Sequence, residues 1–181
     1  MSLLGAARRE PRSTDQAGAL EEILTQPWAL LGLLVEAFGE AINDAARLSM
    51  DHPDPRRLYP AQRVRLVRHA DLCVGACLAP DGRTVLYRPQ RAARDQGWAL
   101  AHELAEATLR RSQWDHTHAD VQRVALAILL PRSVVLPRLR RLGARAATSD
   151  LIRRHRHAPL WAVVRRVAVL DAARDQGVST G

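Results

Sequence analysis

The chain has 181 residues, the length of one domain. Hydrophobic residues make up 47% of it but aromatic residues only 4%, which favours helices packed on small side chains over a large β-sandwich. The formal net charge is +8, and every basic residue is an arginine. Guanidinium groups bind phosphates and carboxylates through paired hydrogen bonds, although a GC-rich genome would produce the same arginine usage without any such partner.

The sequence predicts a cytoplasmic protein. Its longest apolar run, residues 27–35, is too short to span a bilayer, and Glu21 and Glu22 precede it where a secretory signal would carry no acidic residues. Cys73 and Cys77 lie in a segment that predicts a strand, where they would stand roughly 13 Å apart, too far for a disulfide. Two free thiols are typical of a reducing compartment.

The first half of the chain predicts a tail, a helix and a small sheet. Residues 1–18 are rich in small and charged residues and predict a disordered tail, followed by one domain over residues 19–175. Apolar residues at helical spacing predict a helix from about residue 27 to residue 48, and the prolines of residues 51–57 predict a loop. Alternating apolar residues around Pro80-Asp81-Gly82 predict a hairpin over about residues 72–87, within an antiparallel sheet of two or three strands.

The second half predicts helices and therefore an α+β fold. The first two cover about residues 95–111 and 118–130, the latter stopped by Pro131. After a short segment at 134–142, Gly143 and the polar residues 148–150 predict a break and a new helix start. A helix pair then covers residues 151–155 and 160–170, and residues 176–181 predict a flexible C-terminal tail.

The chemistry of the chain is concentrated on the helix from Ala99 to Arg111. His102 and Glu106 are four residues apart and therefore share a helix face, with Glu103 turned by about 100° beside them. This spacing lets two side chains hold one metal ion while a neighbouring carboxylate moves a proton. The usual motif of this kind has a second histidine where Glu106 stands.

Two segments of the chain carry a recognisable pattern. Residues 96–107 read Gln-Gly-Trp-Ala-Leu-Ala-His-Glu-Leu-Ala-Glu-Ala, and residues 118–131 read His-Ala-Asp-Val-Gln-Arg-Val-Ala-Leu-Ala-Ile-Leu-Leu-Pro. These segments resemble the ImmA/IrrE family of metallopeptidases. The family shows a Leu-Ala-His-Glu-Leu-Gly-His helix and then a Glu-Ala-Asn-x-Phe-Ala-Ala-x-Leu-Leu-Met-Pro helix. The resemblance implies a helix-rich, zincin-like domain. It further implies a metal-dependent endopeptidase that cleaves a helix-turn-helix repressor to control stress or mobile-element genes.

The resemblance also implies roles for particular residues. His102 matches the first metal ligand and Glu103 the general base, while Glu106 stands at the second ligand position. Asp120 matches the third ligand, with His118 as the alternative. One divalent metal ion is implied, Zn²⁺ in the family; a donor set with one imidazole and two carboxylates would admit Mn²⁺ or Fe²⁺ more readily.

Each of these residues also has a structural interpretation. Glu106 could form an ion pair with Arg110, and Asp120 could close a capping box with Thr117, which would keep it from a metal. The chain would then be an inactive pseudopeptidase that binds a partner protein. A DNA-binding regulator is a third possibility, because the C-terminal helices are rich in arginine. The candidate nucleic-acid contacts are Arg153, Arg154, Arg165 and Arg166.

The apolar residues of these C-terminal helices instead predict that the pair packs on the domain. They are Leu151, Ile152, Leu160, Val163, Val164 and Val167. His155 and His157, in the run Arg-Arg-His-Arg-His, predict a basic face and not a metal site.

Overall fold

A computed structural model of the protein describes residues 37, 39, 41, 42, 54–89, 92–113 and 115–175. The four described residues before position 54 are helical, whereas the rest of the helix predicted over residues 27–48 and both predicted tails lie outside the described residues. Every described residue belongs to one compact unit, Val35–Gly181. Within the predicted proline-rich loop, Pro55–Arg57 form a short 3₁₀ helix, which Asp54 caps by accepting a hydrogen bond from the Arg56 amide.

The described residues form a three-stranded mixed sheet in the order β1-β3-β2. Its strands are β1 (Arg65–Arg68), β2 (Ala76–Leu78) and β3 (Thr84–Tyr87). β2 and β3 form the predicted antiparallel hairpin. At its turn, the Asp81 carboxylate accepts hydrogen bonds from the backbone amides of residues 83 and 84, and Gly82 supplies the positive φ of 64°.

The prediction of a purely antiparallel sheet is wrong, because β1 pairs with β3 in parallel. The chain crosses over after β1, so β2 lies on the far side and β3 enters between the two. Cys77 lies in β2, but Cys73 lies in a bend before it, so the spacing of an extended strand does not apply to the pair. Both cysteines are free, as predicted.

Four longer helices follow the sheet in the described part of the chain. They are α1 (Ala93–Arg111), α2 (His118–Leu129), α3 (Arg132–Arg154) and α4 (Leu160–Asp175). The predicted break at Gly143 is confirmed: this residue has φ 72° and ψ 166° inside α3, a conformation that residues with a side chain rarely adopt. The molecule is therefore an α+β protein, as predicted.

The predicted helix start at residues 148–150 is wrong. Thr148 and Ser149 lie inside α3, and their hydroxyls donate to the carbonyls of residues 144 and 145, at 2.8 and 3.2 Å. Threonine and serine are tolerated inside a helix when their hydroxyls donate to a carbonyl one turn earlier, so these two residues do not act as helix N-caps here. The second half of α3 starts instead directly after Gly143.

The core is centred on the contact between α1 and α2. α1 contributes Leu100, Leu104 and Leu109, all at most 1% exposed. Its buried alanines let the neighbouring elements approach closely, which is why an alanine-rich chain folds with few aromatic residues. The Tyr59 hydroxyl donates to the Leu100 carbonyl at 2.8 Å and ties the segment before β1 to the same helix.

α4 packs on α3, but only part of the predicted apolar set is used. Val163 and Val167 are buried, whereas Leu160 and Val164 are 49% and 53% exposed, so the prediction is wrong for these two. In the described part of the chain, no helix combines the length and the apolar character that crossing a membrane requires.

Candidate active site around His102

The motif residues lie along the middle of α1, at the edge of the core. Leu104 and Ala105 are fully buried, while His102, Glu103 and Glu106 are only partly buried. This alternation follows from the helical period, since the apolar positions face the core and the motif side chains face its boundary. α2 and β2 are packed against this part of α1.

Glu103 is held by the edge strand of the sheet. Its Oε2 accepts a hydrogen bond from the backbone amide of Leu78, the last residue of β2, at 2.7 Å. Burial raises the pKa of the Glu103 carboxyl above its usual value. The Leu78 hydrogen bond and Arg110 oppose this rise, and the negative charge of Glu106 adds to it, so the net shift is upward. The raised pKa and the position beside a strand suit a group that exchanges protons.

His102 lies between two other rings. The centroid of the His118 ring is 5.0 Å away and that of Trp98 is 6.0 Å away. The Nδ1 atom of His102 is buried and has no hydrogen-bond partner among the described residues. Burial lowers the pKa of His102, the nearby His118 lowers it further, and Glu106 opposes the change. The neutral ring is therefore favoured at neutral pH, and a neutral imidazole nitrogen is a metal donor.

Glu106 makes two contacts that do not involve His102. Its Oε1 accepts a hydrogen bond from Arg110 Nε at 2.6 Å, which confirms the ion pair that the sequence offered as the structural interpretation. Its Oε2 lies 3.4 Å from Nε2 of His116. The carboxylate is thus turned along the helix toward its C-terminal end and the following loop.

Asp120 closes the capping box at the start of α2. Its Oδ2 accepts hydrogen bonds from the Thr117 amide at 2.9 Å and the Thr117 hydroxyl at 2.7 Å. The Asp120 amide in turn donates to the Thr117 hydroxyl at 3.3 Å. Its Oδ1 lies 3.4 Å from Arg123, and the residue is only 4% exposed. The capping interpretation of Asp120 is confirmed, and both oxygens are engaged.

These contacts set the charge state of Asp120. Burial acts to raise the pKa of its carboxyl, but the Thr117 hydrogen bonds and the charges of Arg123 and His116 outweigh it, so the net pKa is lowered. Of the two candidate third ligands, His118 is the one whose ring lies beside His102.

The donor types at this site suit a divalent metal ion. His102, His118 and Glu106 would supply two imidazoles and one carboxylate, a common donor set of catalytic zinc, and the Nδ1 of His102, which no described residue bonds, is compatible with ligation. Their arrangement does not form a finished metal site: among the described residues, no three His, Cys, Asp or Glu side chains are grouped closely enough to hold an ion. Glu106 would have to leave Arg110 in order to join the two imidazoles.

The predicted nucleic-acid residues do not form one exposed set. Arg166 is 2% exposed, and its Nε donates to the Leu130 carbonyl at 2.9 Å, so it belongs to the core and not to a basic surface. Arg154 donates to Asp150 at 2.9 Å, and Arg153 lies 3.9 Å from the same carboxylate. Arg165 is exposed on α4.

Two aromatic neighbours of the site, Trp98 and Trp161, were not predicted from the sequence. Trp98 precedes His102 by four residues, so helical spacing alone could have placed it on the same face. Trp161 of α4 meets Trp98 edge to face, with centroids 4.5 Å apart, and is 46% exposed. No local signal could have found this contact, because the two residues are distant in sequence.

No model of a known protein family matches the chain, and no curated protein matches it significantly.

Proposed function

We propose that the chain is a cytoplasmic, metal-dependent endopeptidase of zincin-like fold, similar to the ImmA/IrrE proteins. The observation that carries the proposal is the pairing of His102 and His118. Their rings lie 5.0 Å apart, and the buried Nδ1 of His102 has no hydrogen-bond partner within the described part of the chain. In folded proteins a buried nitrogen of this kind normally has a partner, and a metal ion would be one.

In this proposal His102, His118 and Glu106 hold the metal, and Asp120 keeps its place in the capping box. The metal, Zn²⁺ or alternatively Mn²⁺ or Fe²⁺, would polarise the scissile carbonyl and a water molecule. The substrate class that the resemblance implies is a helix-turn-helix repressor. An extended segment of it would lie along β2, an edge strand of the described sheet whose Leu78 amide contacts Glu103.

Glu103 acts as the general base. Its raised pKa keeps it basic enough to take a proton from water and acidic enough to pass it to the leaving amine. The carboxylate must first leave the Leu78 amide, which then becomes available to a carbonyl of the substrate. The neutral state of His102 favours ligation, because a protonated imidazole has no free electron pair for a metal.

The test compares Glu103→Gln with the wild-type chain. Glutamine keeps an oxygen for the Leu78 amide but cannot take a proton, so we expect cleavage of a bacterial peptide library, read by mass spectrometry, to disappear while bound zinc persists. Asp95→Asn is the matched control, because Asp95 is an exposed carboxylate at the start of the same helix. Undiminished cleavage by the Glu103 variant would end the proposal.

The ligand set is tested separately by elemental analysis of the purified proteins. We expect His102→Ala and His118→Ala to lose stoichiometric zinc, and Asp120→Asn to retain it. Zinc lost from the Asp120 variant but kept by the His118 variant would reverse the assignment of the third ligand.

One observation favours a second function, a pseudopeptidase that binds a partner protein. All three acidic residues that the sequence predicts for catalysis or ligation are engaged in contacts within the chain: Glu103 with Leu78, Glu106 with Arg110, and Asp120 with Thr117. This function predicts no stoichiometric metal in wild-type protein dialysed against zinc, and full binding of a helix-turn-helix repressor by Glu103→Gln. The endopeptidase predicts stoichiometric zinc in the same dialysis.

A further inference from the structure

The turn between α3 and α4 encloses a cavity of about 370 Å³ that the proposed active site does not use. It is lined by the last two residues of α3, by the turn that follows them and by one residue of α2. The lining residues are Leu129, Arg153, Arg154, His155, Arg156, His157 and Ala158. The sequence predicts that His155 and His157 lie on a basic face. His157 is partly exposed, but His155 is only 3% exposed, so the prediction is wrong for His155.

The cavity wall carries a surplus of positive charge. Among the described residues that line it, three are arginines, two are histidines, and none is acidic. The Asp150 carboxylate of α3 accepts hydrogen bonds from Arg138 and Arg154 and lies 3.9 Å from Arg153. The Asp54 carboxylate interacts electrostatically with His157. Arg156 is exposed and forms no ion pair with any described residue. A bound anion would offset this surplus.

The turn that carries these side chains is fixed by hydrogen bonds. The amide of His155 donates to the Leu151 carbonyl at 2.8 Å, and the amide of Ala158 donates to the His155 carbonyl at 3.1 Å. Below it, Gly97 of α1 lies so close to His157 that an added Cβ would stand 2.7 Å from the His157 Cβ. Because the backbone of the turn is fixed by these contacts, only the arginine side chains lose conformational entropy when a small ligand binds.

We infer that this cavity binds a small phosphate-bearing ligand of about the size of a mononucleotide. Its volume lies at the lower end of the range for small-molecule sites. Guanidinium groups bind phosphate oxygens through paired hydrogen bonds, and three arginines line the cavity. Leu129 and Ala158 also line it but are each only 1% exposed, so the arginines supply most of the contact surface. A DNA backbone is the less favoured source of phosphate, because a concave site between two helices does not project into a groove. The inference is independent of the proposed peptidase activity.

The test titrates the full chain with adenosine monophosphate, inorganic phosphate and adenosine in a calorimeter. We expect one nucleotide to bind per chain, phosphate to compete with it, and adenosine not to bind. Arg156→Gln should weaken nucleotide binding by about tenfold, the effect of losing one charged pair of hydrogen bonds. Arg165→Gln is the matched control, because Arg165 is an exposed arginine outside the cavity, and it should change binding by less than about twofold.

Three results would overturn the inference. One is no binding of the nucleotide or of phosphate up to about 10 mM, a concentration that detects even weak sites. Another is an equal loss in both arginine variants, which would indicate diffuse attraction by the net charge. The third is a short DNA duplex that displaces the nucleotide and binds with a steep salt dependence, which would assign the site to nucleic acid.

Discussion

Substitutions in the capping box of α2 can distinguish a structural role of Asp120 from a role as a metal ligand. Thr117→Ala removes the hydroxyl that accepts from the Asp120 amide and donates to the Asp120 carboxylate. We expect it to lower the free energy of unfolding by about 1 kcal/mol, the usual cost of losing a helix N-cap. Asp120→Ala removes a charged acceptor of two hydrogen bonds and should cost about 2 kcal/mol.

The two substitutions should not be additive, because each removes the hydrogen bond between the Thr117 hydroxyl and the Asp120 carboxylate. We expect a coupling free energy of about 1 kcal/mol in a double-mutant cycle, measured by urea denaturation of the metal-free proteins. The pKa of Asp120 is lowered in the folded state, so its contribution is complete above the ordinary carboxyl pKa of 3.8 and is lost as the pH falls toward the lowered value. The coupling should therefore shrink on acidification below that ordinary value.

The reasoning is refuted if the metal-free variants are as stable as wild type and the cycle shows no coupling. If Asp120→Ala then destabilises only the zinc-loaded protein, the carboxylate binds the ion and the capping contacts are incidental. Wild-type zinc content in the Asp120 variant, together with the expected coupling, would support the role as a cap.

The remaining predictions concern backbone, core and proton transfer. Gly143→Ala should cost about 1–3 kcal/mol in urea denaturation although the space around it is open, because its backbone conformation is nearly exclusive to glycine. Gly97→Ala should lower the free energy of unfolding by about 1–3 kcal/mol, because its added Cβ would overlap with the turn after α3. A thermal midpoint at or above that of the wild type would contradict this expectation. Arg166→Met should lower the free energy of unfolding by about 1.5–3 kcal/mol, since the Leu130 carbonyl loses a charged donor; an unchanged denaturation midpoint would refute this. The pKa of Glu103 is raised above 4.5, so peptidase activity should already fall, as the pH is lowered, at a pH above 4.5. Activity that is lost only at pH 4.5 or below would argue against Glu103 as the general base.

Much of the helical framework could be predicted because its signals are local. Pro131 ends α2 since it cannot continue the backbone hydrogen bonds, and Gly143 interrupts α3 since few other residues adopt its conformation. The capping box of α2 joins residues three apart, so its two members could be read directly from the sequence. The placement of His102 and Glu103 on one helix could also be predicted, because the two residues are adjacent in the chain.

The sequence by itself thus determined the α1 and α2 helices, the hairpin turn and the set of residues able to do chemistry. Only the tertiary structure decided that β1 runs parallel to β3, that His118 lies beside His102, and that Glu103 binds the backbone of β2. It also buried Arg166, which its charge had predicted to be on the surface. The physical reason is the same in each case: these contacts join residues far apart in the chain, and they form through the packing of whole elements, which neither periodicity nor residue type encodes.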